Sequence, residues 1–192
     1  MIKVLFGIIS LLLAVIGYSS YFRDLFKEET KPHVFSWLVW SIMTGTAFVA
    51  QLLNNAGPGA WVMGLTAVAS LFVFLYAFKY GEKNITLSDK LSLSGAIFAI
   101  LLWYFTNNAL IAIILLIIID ALGFYPTFRK SYHKPFEESI LLYIISATIF
   151  AISLLALENY SPVTYLYPLF LIIINTSFTW MVLLRRSKTF KH

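Results

Sequence analysis

The chain has 192 residues, 60% of them hydrophobic and only 12% charged, and carries a net charge of +5. Soluble domains hold about 25% charged and 45–50% apolar residues. A mean hydropathy of +0.83 leaves more apolar surface than a soluble fold of this size can hide, so lipid is the matching solvent. A soluble enzyme, a disordered chain and a secreted disulfide scaffold are excluded. The lack of cysteine removes disulfides, iron–sulfur clusters and thiolate metal sites.

A helix crosses about 30 Å of hydrocarbon with roughly 20 apolar residues. Seven segments are read as such spans: 3–21, 34–53, 60–79, 91–105, 109–125, 137–157 and 163–184. They are too long and too continuous for the alternating strands of a barrel. Lys3 followed by Val4–Ile16 has the shape of a signal peptide, but no Ala-x-Ala-like site follows, and the segment is read as a retained span. Turn chemistry separates the spans. Asn54-Asn55-Ala56-Gly57-Pro58-Gly59 follows the second, and Tyr80-Gly81-Glu82-Lys83-Asn84 ends the third. Ser88-Asp89 reads as the N-cap of the fourth, Thr106-Asn107-Asn108 ends it, and Glu158-Asn159-Tyr160-Ser161-Pro162 precedes the seventh.

The basic residues set the expected orientation. Arg23, Lys27 and Lys31 follow span one, while Lys79, Lys83 and Lys90 surround the third loop. Arg129, Lys130 and Lys134 fill the fifth loop, and Arg185, Arg186, Lys188 and Lys191 form the tail. Lys3 is thus the only one of the 14 Lys and Arg residues on the opposite face. Cytoplasmic loops attract Lys and Arg, so the N-terminus is expected outside and the C-terminus inside a cell membrane. Merging spans four and five would erase the bias, which supports seven crossings. Spread over short membrane loops, the positive charge gives no reason to invoke nucleic acid. Trp37, Trp61, Trp103 and Trp180 fall near span ends, where tryptophan anchors helices, and Trp40 lies one turn deeper.

The sequence also repeats weakly. Gly17-Tyr18-Ser19-Ser20-Tyr21-Phe22-Arg23-Asp24 recurs as Gly123-Phe124-Tyr125-Pro126-Thr127-Phe128-Arg129-Lys130 at an offset of 106. Pro32 and Ser36 recur as Pro135 and Ser139 at an offset of 103, and Pro58 as Pro162. The offset covers four spans, so both copies point the same way. The division is then 1–80, a first three-helix repeat; 81–107, a linker helix; and 108–192, a second repeat with a basic tail. Parallel repeats of this kind occur in transporters, with the substrate near midplane between the halves.

This all-α, three-plus-one-plus-three membrane arrangement, with a Pro-containing motif at the inner end of span five, resembles the PQ-loop and SWEET-type transporter superfamily over nearly the whole chain. Pro126-Thr127 looks like the family's Pro-Gln dipeptide, and Ser20-Tyr21 occupies that place in the first half. No Gln follows a Pro in either half. The resemblance implies two triple-helix bundles packed in the order one-three-two and alternating access by rocking. Relatives carry sugars, amino acids or vitamin precursors, and some are sorting receptors rather than transporters. In SWEET-type proteins an Asn on the third helix of each bundle lines the pocket. Asn175 matches that position, while its counterpart falls near Ser70, with Thr66 one turn before it, which argues against a sugar.

Asp120 is the one acidic residue well inside a span. A charge at such depth costs about 2.5–3.5 kcal/mol on insertion scales and normally faces a bundle interior or a water-filled cavity. It reads as a proton-coupling or substrate-binding carboxylate, or else as a structural partner of a cation such as Arg129. Spans two and six carry polar-aromatic stripes: Ser36, Trp40, Thr44 and Gln51 in one, and Ser139, Tyr143, Ser146 and Ser153 in the other. Trp40 and Tyr143 are expected to flank a small polar ligand, beside Asn175, Ser70 and Thr66. Packing through small polar residues is the alternative. Pro126 lies where a freed carbonyl makes a bending point, and Pro168 does so less clearly. His33, His133 and His192 lie in basic segments and suggest no metal site. No nucleotide motif, zinc-protease helix or paired intramembrane acids occur, so neither enzymatic chemistry nor a cofactor is expected. The expected partners are membrane lipids and a small polar solute, with a homo-oligomer left open. The readings carried forward are a small-solute transporter, proton-linked at Asp120, and a receptor, chaperone or assembly factor of the same architecture.

Overall fold

In a computed structural model describing residues 1–27, 32–81, 85–133, 135–136 and 140–189, the chain is helical, with no β-strand among the described residues. The side chains of Asp24, Ser88, Pro126, Arg129, Lys130, Leu142 and Thr189 are also outside the description. Lys31, Lys83, Lys134, Ser139, Lys191 and His192, singled out from the sequence, lie beyond the described residues.

Seven α-helices follow in order: α1 (Ile2–Phe26), α2 (Val34–Leu53), α3 (Trp61–Tyr80), α4 (Leu87–Thr106), α5 (Ala109–His133), α6 (Ile140–Leu155) and α7 (Pro162–Thr189). A short 3-10 turn, Gly57–Ala60, leads into α3. The caps explain most boundaries. His33 Nδ1 accepts the Ser36 backbone N–H at 3.4 Å to start α2. Thr86, rather than the expected Ser88-Asp89 pair, caps α4. Its N–H donates to Asp89 Oδ2 at 2.8 Å, while its Oγ1 accepts the Asp89 N–H at 3.4 Å, a reciprocal capping box. That adds a turn to a helix expected only over 91–105. Asn107 closes α4 in the left-handed region at φ 49°.

Two expected loops are helical. The segment 22–26 extends α1 beyond its expected end at 21, and 126–133 extends α5 beyond 125, unbroken through position 126. One missing N–H costs a single ladder bond, to the carbonyl of Leu122, and the flanking residues tolerate helix well enough to carry it past that point. The repeated motif therefore lies wholly within the last turns of two helices and does not run into the loops.

α3 packs against both α1 and α2, and α7 against both α5 and α6. α1 lies along α6, and α4 bridges α2 and α5 at the side. One apolar core draws on all seven helices, including Ala14, Met43, Met63, Ala96, Leu116, Phe150 and Tyr167. α4 turns Ala96 and Ala99 inward and exposes Leu91, Phe98, Leu101, Tyr104 and Phe105. α3 likewise exposes Val68, Leu71, Phe72, Leu75 and Phe78. Apolar surface on this scale suits lipid and not water.

Among the described residues, four helices are long and apolar enough to cross a membrane: Ile2–Arg23, Val34–Leu53, Gly57–Tyr80 and Pro162–Lys188. α5 and α6 carry shorter apolar stretches, Ala109–Tyr125 and Tyr143–Leu155.

At the end away from the basic residues, two connectors interlock. The Glu158 N–H donates to the Ala56 carbonyl at 2.9 Å, and Asn159 Nδ2 to that of Asn54 at 2.9 Å. Gln51 Nε2 crosses from α2 to the Thr164 carbonyl on α7 at 2.7 Å. Glycine makes the approach feasible. A Cβ on Gly59 would stand 2.9 Å from Leu157 Cα, and Gly57 adopts φ +63° beside Glu158. Gly7 of α1 fits under Pro58 in the same knot, and Lys3 Nζ donates to the Glu158 carbonyl at 3.3 Å.

Candidate functional site

Asp120 is 4% exposed, so the cost of burying a carboxyl must be met by polar partners. Its position on α5 faces α7, where the buried Tyr167 donates its phenolic O–H to Asp120 Oδ2 at 3.2 Å. The Trp40 indole of α2 lies within polar reach of the same carboxyl. Three helices from opposite ends of the chain thus converge on one acid. Trp40 itself is 40% exposed, so the junction touches the surface of the protein on the α2 side. From Trp40 the aromatic line continues edge-on to Trp37 at 5.2 Å and on to Tyr21 at 5.1 Å. On the other side Tyr167 stacks with Phe170 at 6.4 Å.

The junction has no equivalent in the first half. At the offset of 106, Asp120 corresponds to Ala14, buried in α1. At the offset of 104 that pairs Pro58 with Pro162, Tyr167 corresponds to Met63, buried and apolar.

The other residues singled out from the sequence fall into separate groups. Ser70 is buried and Thr66 half-buried on α3, and both hydroxyls meet the phenol of Tyr18 on α1. Asn175 is buried on α7, and its Nδ2 donates back to the Leu171 carbonyl at 2.6 Å, closing on its own helix. The hydroxyl of Thr179, one turn on, is buried without a hydrogen-bond partner among the described residues. Tyr143 on α6 packs its ring on Phe178 at 4.1 Å. Thr44 bonds the Trp40 carbonyl one turn earlier at 2.7 Å, which makes it part of the helix ladder. Ser36 and His33 act at the start of α2, and His33 Nε2 also approaches Asp89 Oδ2 at 3.8 Å. No group of three or more metal-binding side chains occurs among the described residues.

A cavity of about 310 Å³ lies elsewhere, between α1 and α3. Trp40, Tyr143, Asn175, Ser70 and Thr66 do not line it. Tyr167 and Tyr18 are two buried polar partners that sequence reasoning passed over. Each is one aromatic among many near a span end, and only packing reveals that its hydroxyl meets a buried polar group.

The chain matches none of the protein-family models, characterised proteins or solved structures compared with it.

Proposed function

We propose that this chain is a multi-pass membrane transporter of a small polar solute, working by alternating access and coupled to a proton at Asp120. The observation that carries the reading is the buried junction of Asp120 with Tyr167 and Trp40. Its members come from the N-terminal and C-terminal parts of the chain, so its protonation state acts on how those parts hold together. An ionised Asp120 is a strong acceptor for the phenol and indole donors. Protonation weakens the Tyr167 bond and the attraction to the Trp40 indole, loosens α2 from α5 and α7, and lets them move apart.

The architecture in this reading is three-plus-one-plus-three, of the PQ-loop and SWEET type. The contacts of α3 with α1 and α2, and of α7 with α5 and α6, support it. So does α4 at the side, touching α2 and α5. The charge bias puts the N-terminus outside and the C-terminus in the cytoplasm. The interlocked connectors then belong to the outer end, which this conformation holds shut. The solute site in this reading draws on Trp40, Tyr143, Asn175, Ser70 and Thr66, and Pro126 serves as the bending point of α5.

A second reading, a non-transporting receptor, chaperone or assembly factor of the same architecture, has its own supporting observation. The cavity between α1 and α3 is apolar and is not lined by the residues read as a solute site. The two readings are separated with purified protein in liposomes containing a pH-sensitive dye. A panel of neutral amino acids, sugars and small vitamin precursors is added outside at acidic pH. The transporter reading expects at least one solute to acidify the lumen in a protein-dependent way. A panel that evokes no acidification and no solute uptake overturns it in favour of the second.

A further inference from the structure

The cavity between α1 and α3 has a chemistry of its own. Its walls are Val15, Phe22, Phe26, Leu65, Val68, Ala69 and Phe72, with Tyr18 and Ser19 as the polar members. The Tyr18 hydroxyl is already engaged by Ser70 and Thr66, so little is left to recognise a polar solute. Val15, Ser19, Val68 and Phe72 are exposed, so the slot opens on the outward flank of the bundle, where hydrocarbon lies. Its volume of about 310 Å³ suits a flexible apolar chain better than a packing helix.

Cations gather at one end of this slot. Arg23 lies in the last turn of α1, Lys27 directly follows it, and Lys79 lies in the last turn of α3. The two helix ends meet: the Tyr76 phenol donates to the Leu25 carbonyl at 3.2 Å, and Phe26 packs on Tyr76 at 5.9 Å. Tyr76 in turn stacks on Tyr80 at 5.0 Å, whose ring carries Lys79 Nζ at 4.9 Å. Phe22 and Phe26 link this basic end to the apolar slot, with Phe22 on Phe72 at 5.2 Å. An apolar slot with cations at its mouth is complementary to a molecule with an acyl chain and a negative head.

We propose that the α1–α3 groove is a binding site for one anionic phospholipid, its acyl chain along Phe22, Val68 and Phe72 and its phosphate at Lys27 and Lys79. The inference needs only the membrane location and stands apart from solute transport. Its test is native mass spectrometry of the full-length chain in detergent, stripped of lipid. The chain is titrated with phosphatidylglycerol and with phosphatidylcholine of identical acyl chains. One phosphatidylglycerol should bind with a clear preference. Lys27→Gln and Lys79→Gln should each weaken that lipid about fivefold and leave phosphatidylcholine unchanged. Ser19→Trp, made at an exposed position, should fill the slot and abolish saturable binding of both lipids, and Val68→Trp should do the same from the α3 side. Circular dichroism verifies that each variant keeps its helices. Equal binding of the two lipids by the unmodified chain overturns the site, as do folded Trp variants that still bind phosphatidylglycerol normally. Displacement of the lipid by millimolar inorganic phosphate would show a free-anion site and overturn it too. A chain that stays monodisperse without detergent would instead remove the membrane reading on which the site rests.

Discussion

Tyr167 shows what one side chain contributes. Its O–H is the donor that keeps the Asp120 carboxyl from standing unpartnered in an apolar interior. Replacing it with Phe retains the ring and its stacking on Phe170 but deletes that donor. Leaving a buried acceptor short of a partner costs about 1–3 kcal/mol. Tyr167→Phe in detergent is therefore expected to unfold at a lower temperature than the unmodified chain. An unchanged thermal midpoint would contradict a stabilising role for this hydrogen bond. The acid was legible in the sequence because a lone carboxylate inside an apolar run has few explanations. Its partner was not, because Tyr near a span end normally anchors a helix and no spacing rule points from position 167 to position 120. Ser70 and Thr66 teach the same lesson. Repeat arithmetic aligned Ser70 with Asn175, but packing gave both hydroxyls to Tyr18.

Helix ends were legible wherever the backbone needs a special conformation. Asn55 at φ 54°, Gly57 at φ 63° and Asn107 at φ 49° all fall in connectors that the Asn and Gly clusters announce. They were illegible where nothing stops a helix from continuing into water. α1 and α5 run on to Phe26 and His133 because ordinary helix formers follow the apolar stretch and charge alone does not end a helix. Two glycines test how differently the elements use the same residue. Gly59 sits under the backbone of Leu157, so Gly59→Ala pushes the connectors apart at a cost of about 1–3 kcal/mol. Gly123 has open space within 4 Å on α5, so Gly123→Ala should stabilise the helix by about 0.5–1 kcal/mol. Thermal melts of the two variants should shift in opposite directions. Equal shifts would show that the connector knot does not bear on stability.

For the whole molecule, the proposed topology is read from the charge pattern. The basic residues mark the ends of α1, α3, α5 and α7. Because the chain has no cysteine, single Cys residues report topology without background. Cys at Asn55 and at Asn107 should react with an impermeant thiol reagent applied to intact cells, whereas Cys at Lys90 and at Lys188 should react only after permeabilisation. External labelling at Lys90 would reverse or break the proposed crossing pattern. A carboxyl tied to two helices is only a static contact until its proton is shown to drive movement. The direct measurement is solute flux in liposomes, comparing the unmodified chain with Asp120→Asn, which retains size and hydrogen-bonding capacity but cannot ionise. With a solute active in the acidification assay, the unmodified chain should accumulate it against its gradient when the outside is acidic. Asp120→Asn should still exchange labelled for unlabelled solute but lose that pH-driven accumulation. Accumulation by Asp120→Asn with the unmodified pH dependence would contradict the account.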